Sequence, residues 1–134
     1  METFSEIAEH VRAHHQVVHD EPFMLGLEVA VGERRRQTVF VAEIKDSENR
    51  RYLRLESTVA PLASHDPVKC LRVNLMLRVG YLAVGDLEGV AFIKMCENLG
   101  YRDLSAETLD LSIARLAEQA DGMEDTLTGG GDWF

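Results

Sequence analysis

Residues 105–127 read as one amphipathic helix, and no other stretch restricts the fold as strongly. At about 100° per residue, Leu109, Ile113, Leu116, Ala120, Met123 and Leu127 fall on one narrow stripe. A helix of this length reaches roughly 34 Å and needs an apolar surface along all of it; five strands at their usual spacing span roughly 24 Å. Ser105 is placed to cap the helix, and Glu107 and Asp110 complement the positive end of its dipole. The helix over 67–79 differs. Val68, Leu71, Leu75 and Val79 lie on one side, and Cys70, Val73 and Leu77 on the other, so this helix has two surfaces to cover.

The remaining elements supply the sheet. Thr3 and Glu6 have capping-box spacing ahead of an apolar face made by Phe4, Ile7, Ala8 and Val11. A strand is predicted over 27–31, where Leu27, Val29 and Val31 alternate with Glu28 and Ala30. Runs over 38–44 and 52–59 follow as β-branched and aromatic strands separated by a polar loop. Asp66-Pro67 starts the second helix and Gly80 is placed to stop it. A hairpin then runs over 81–84 and 90–96, its two strands flanking Gly85 to Gly89. The returning strand is apolar on both faces, as a central strand or one covered by another subunit would be. These readings give an α+β fold: a helix, three antiparallel strands, a helix, a two-stranded hairpin, and a long C-terminal helix packed on the sheet. Residues 1–128 form one expected domain, and 129–134 a glycine-rich tail ending in Trp133 and Phe134.

Composition narrows the function. A chain of 134 residues with 46% hydrophobic content supports one core. The net charge of −9 repels phosphate backbones and argues against nucleic acid as a partner. Arg34-Arg35-Arg36 and Arg50, Arg51 and Arg54 fall at opposite ends of a predicted hairpin and read as solvated turns. Nothing approaches membrane-spanning length or a signal peptide, so a cytoplasmic location is expected. Cys70 and Cys96 sit on apolar faces without CxxC spacing and read as buried free thiols.

Catalytic signatures are missing. There is no GxSxG, HExxH, GxxxxGK[ST] or GxGxxG. His10 and His14, one helical turn apart, with Asp20 or Glu21 nearby, are the best metal candidates. They lack a full coordination set, so no cofactor or functional metal is expected. The acidic residues of the last helix lie opposite its apolar stripe and read as a solvated face. A small enzyme or metal sensor built on the N-terminal histidines is the alternative to a binding role.

The element order, the acidic balance, the helix ending at Gly80, the hairpin entry Tyr81-Leu82-Ala83-Val84-Gly85-Asp86 and the helix opening Leu104-Ser105-Ala106-Glu107 together resemble the type III secretion chaperone-like fold. That fold includes a branch of bacterial sensory-transduction regulators. The resemblance covers 4–127. It implies a non-enzymatic, chaperone-like or regulatory protein, often homodimeric, that binds extended segments of partner proteins. Leu27, Val29, Val39, Val41, Leu53 and Leu55 are the expected strand residues of a client surface, with Trp133 and Phe134 docking in the same groove when no client is present. Cys70, Val73, Leu77 and Phe92 are the expected dimer interface.

Overall fold

A computed structural model describes residues 1–128, so Trp133, Phe134 and the glycine-rich tail lie outside the described residues. Helix α1 (Phe4–His14) leads into strands β1 (Gln16–Glu21), β2 (Met24–Val31), β3 (Arg35–Lys45) and β4 (Arg51–Pro61). A 3-10 turn (Leu62–Ser64), helix α2 (Pro67–Met76), strands β5 (Tyr81–Leu87) and β6 (Val90–Gly100), and helix α3 (Ala106–Thr128) follow. The six strands form one antiparallel sheet in the order β1-β2-β3-β4-β6-β5. β6 is therefore internal, in keeping with its two apolar faces.

Local signals start the helices as expected. Thr3 accepts the Glu6 amide at 3.2 Å, Asp66 accepts the Val68 amide at 2.9 Å ahead of Pro67, and Ser105 accepts the Thr108 amide at 3.1 Å. α2 is shorter than its apolar pattern. It ends at Met76, because the chain must turn at 77–80 to enter β5. Gly80 takes φ +79° in that turn, and a Cβ there would meet the Met95 methyl at 2.7 Å. Glycine is required at that position twice over, by backbone and by space. The β5–β6 hairpin is tighter than Gly85 to Gly89 suggested. Both strands continue to a two-residue turn at Glu88-Gly89, where both residues have positive φ, as a type I′ turn demands.

One strand escaped the pattern. β1 is a six-residue edge strand, Gln-Val-Val-His-Asp-Glu, exposed along nearly all its length and bulged between Val17 and His19. With no buried face it carries no alternation, and it joins the sheet only through β2, which starts at Met24 rather than Leu27.

α3 lies across one sheet face against β2, β3, β4 and β6. Its stripe Leu109, Ile113, Leu116, Ala120, Met123 and Leu127 is buried, as is the α1 face made by Phe4, Ile7, Ala8 and Val11. Leu25, Leu27, Val39, Val41, Leu53, Leu55, Ile93 and Met95 meet these helices with no accessible surface. Register puts them on one face: Leu27 opposes Val39, Val41 opposes Leu55, and Leu53 opposes Leu99. An ion pair and a hydrogen bond close the edges of this layer. Arg115 of α3 meets Glu97 at 2.9 Å, and the Tyr101 hydroxyl donates to Glu43 at 2.8 Å. Burial and that carboxylate together push the Tyr101 phenol well above its ordinary range.

Candidate functional site

The strand residues expected to meet a client do not form an open surface. Leu27, Val39, Val41, Leu53 and Leu55 are wholly buried beneath the helices, and Val29 is half-buried against the same core. The reason is the difference between the two faces that alternation creates. Each strand offers an almost purely apolar face and a mixed one, and a helix stripe built from Leu, Ile and Ala gains most by taking the first.

The other face has no helix over it among the described residues. Across it run Gly26 and Glu28 of β2, Thr38 and Phe40 of β3, Arg54, Glu56 and Thr58 of β4, Lys94 and Cys96 of β6, and Tyr81 and Ala83 of β5. An ion pair and a hydrogen bond link side chains across it. Lys94 Nζ lies 3.1 Å from Glu56, and the Thr38 hydroxyl donates to Glu28 at 2.6 Å. The Phe40 ring packs beside His19, their centroids 5.7 Å apart. Both rings crowd Gly26, where a Cβ would sit 3.0–3.1 Å from them. A groove of about 410 Å³ is lined by His19, Arg36, Thr38, Phe40, Thr58 and Leu87. Cys96 is buried on the same face, and burial, followed by the nearby Glu56 charge, pushes its thiol up to about 11. It is a packing residue, protonated at neutral pH.

A second surface lies at the β5 end. The dimer residues expected on α2 are reversed by the structure: Cys70 and Val73 are buried, and Leu77 is partly buried against the core. Val68, Leu71, Leu75 and Met76 are exposed instead, Leu71 at 69% and Leu75 at 85%. Asn74 explains the orientation. Its side-chain oxygen accepts the Leu82 amide at 2.6 Å and its amide donates to the Leu82 carbonyl at 3.1 Å. This one side chain satisfies an edge-strand residue of β5 and turns the 70/73 side of α2 inward. Between α2 and β5 a groove of about 150 Å³ is lined by Pro67, Cys70, Leu71, Leu82 and Val84. Val84 is also exposed and extends this apolar surface onto β5, whereas the exposed Leu87 and Val90, paired at the hairpin end, belong to the open face. Phe92, the fourth residue expected at the interface, is half-buried opposite Gly85. A helix with two apolar sides cannot report which one its own sheet takes. Only Asn74, polar in the middle of the run, marked the strand-facing side.

The histidines are arranged differently from the expected His10–His14 pair. His10 and His15 both direct Nε2 at Asp110 of α3, at 2.9 and 2.7 Å from its Oδ1. His14 turns back, its Nδ1 bonding the His10 carbonyl at 3.0 Å, and stacks on the His10 ring at 4.5 Å. Asp20 is taken by Arg12 in a two-bond ion pair.

No family model matches the chain, and no curated protein sequence matches it. Among solved structures, the chain is similar to one in the crystal structure of the ExsC-ExsE complex, with a TM-score of 0.64 at 15% identity. The match covers 98% of this chain and all of that one. At that identity the likeness is one of fold. It supports the secretion chaperone-like architecture: a helix, an antiparallel sheet and a long C-terminal helix packed on it. No helix among the described residues is long and apolar enough to cross a membrane.

Proposed function

We infer that this chain is a non-enzymatic protein-binding module, chaperone-like or regulatory, that works as a homodimer and holds an extended segment of a partner protein. The observation that carries this reading is the uncovered apolar surface of α2, continued by Val84 of β5. Five of the ten large hydrophobic side chains that stand exposed among the described residues belong to it: Val68, Leu71, Leu75, Met76 and Val84. Contiguous apolar surface of this kind marks an interaction site. A two-fold mate presents the same surface and is its simplest cover.

With that end of the sheet occupied by the mate, the open face and the β1 edge remain for a client. The groove beside Phe40 offers apolar and hydroxyl groups for side chains, and β1 offers edge backbone groups for strand addition. The fold shared with a chain of a two-protein complex, ExsC with ExsE, supports a partner-binding role. The alternative, a small enzyme or metal sensor, rests on the N-terminal histidines.

Sedimentation of the intact chain and of a Leu71→Asp, Leu75→Asp variant tests the dimer. A dimer at tens of micromolar, a common working range, that becomes a folded monomer in the variant supports it; a monomeric intact chain overturns it. Photo-crosslinkers at Phe40 and His19 test the client surface, with one at Glu118, exposed on α3, as the control. Capture of a partner from the open face alone is expected, and equal capture from α3 overturns that assignment.

A further inference from the structure

The cluster at the end of α1 has the composition of a metal site. His10 comes from α1, His15 from the junction between α1 and β1, and Asp110 from the first turns of α3, about a hundred residues away. Their donor atoms all lie within 4.8 Å of one another. Both imidazole side chains are largely buried, at 13% and 19% exposure, while the Asp110 side chain keeps 40%. Two rings held largely out of solvent are aimed at one oxygen of a carboxylate that is itself partly exposed.

We propose that His10, His15 and Asp110 bind one divalent transition ion of the zinc class, which ties α1 to α3. Two imidazole nitrogens and a carboxylate oxygen are a donor set that such ions accept, and the exposed side of Asp110 leaves a position for water. With bonds of about 2.0–2.2 Å, donors around a tetrahedral ion sit about 3.3 Å apart. The present His–Asp separations of 2.7 and 2.9 Å, with all three donors within 4.8 Å of one another, reach that spacing by rotation of the side chains. Nε2 of each ring now donates a proton to the carboxylate. The ion takes the place of those two protons, and each ring ends as a neutral imidazole carrying one proton on Nδ1: a singly protonated ring moves its Nε2 proton there, and a doubly protonated ring releases the Nε2 proton to solvent. His14, stacked on His10 and anchored to its carbonyl, is a positioning residue that fixes the ring plane.

The test uses the full chain purified without a polyhistidine tag and stripped with chelator, titrated with Zn²⁺ by calorimetry and with Co²⁺ by visible absorption. One ion per chain is expected, with Co²⁺ bands of a four- or five-coordinate site and a raised Tm. Asp110→Asn and His15→Gln should each weaken binding by at least about 100-fold, beyond the 10–100-fold typical of losing an outer partner. His15→Gln also keeps a side-chain donor for Asp110, so a folded variant that loses the ion separates metal binding from a plain hydrogen-bonded clamp. His14→Ala should weaken binding less, and His19→Ala, on the far sheet face, should not change it. Binding no tighter than millimolar, or binding that survives His15→Gln and Asp110→Asn, overturns the site. A residual His15→Gln fold with unchanged Co²⁺ bands does the same.

Discussion

The two faces of the sheet are built from the same strands, residue by residue in alternation, yet they have opposite roles. On the covered face Leu25, Leu27, Val39, Val41, Leu53 and Leu55 are sealed under α3 and α1. On the open face Glu28, Thr38, Phe40, Arg54, Glu56 and Lys94 stand half-buried, with Thr38 bonded to Glu28 and Lys94 paired with Glu56. The difference shows that a strand's hydrophobic content does not identify a binding surface. The most apolar positions are used first by the chain's own helices, and the surface left uncovered is mixed in character.

The sharpest way to break that comparison is to truncate one residue on each face. Leu55→Ala should cost about 2–5 kcal/mol, since it empties a fully buried site under α3. Phe40→Ala, next door in the register but on the open side, should cost clearly less and leave the fold intact. Urea unfolding of the two variants checks this, and equal losses would mean that the open face is packed as firmly as the covered one.

Asn74 tests how α2 chooses its inward side. Asn74→Ala removes two hydrogen bonds and leaves the Leu82 amide and carbonyl of an edge strand without a protein partner, for an expected loss of about 1–3 kcal/mol. Hydrogen exchange should quicken in β5 before it does in β3. Uniform quickening would show that the clamp is not local.

Gly80 and Gly32 sharpen the same contrast between a filled and an open environment. Both have positive φ, but a Cβ at Gly80 meets Met95 and the Cys96 carbonyl, while one at Gly32 meets nothing within 4 Å. Gly32→Ala should lose about 1 kcal/mol from backbone strain alone, and Gly80→Ala more than that. Thermal unfolding distinguishes them.

The smallest effect is electrostatic and belongs to the covered side. Burial raises the Asp110 carboxyl, but hydrogen bonds from His15 and His10 outweigh it and hold the group below its ordinary value of 3.8. A carboxyl depressed on folding contributes stability that is fully present above its unfolded pKa and lost as pH falls through the folded one. The stability gap between the metal-free protein and Asp110→Asn should therefore persist down to about pH 4 and vanish below it. With Asp110 still partly exposed, the gap should be modest. Acid titration of both proteins by circular dichroism is the measurement.

Much of the fold was legible locally. The capping residues Thr3, Asp66 and Ser105, the α3 stripe and the alternation of β2 to β4 each act through near neighbours and appear as expected, with β2 longer and the β5–β6 turn tighter than the pattern gave. What stayed hidden depends on contacts between distant segments. β1 buries no face and exists only by pairing with β2. Periodicity assigns two sides to α2 and two faces to every strand without ranking them. Their ranking follows from where α3 lies and from Asn74 meeting Leu82. The histidine cluster is the extreme case: His10 and His15 are five residues apart in a stretch with four histidines, and nothing local selects them over His14. Only the packing of α3 against the end of α1, which brings Asp110 to both rings, makes that selection.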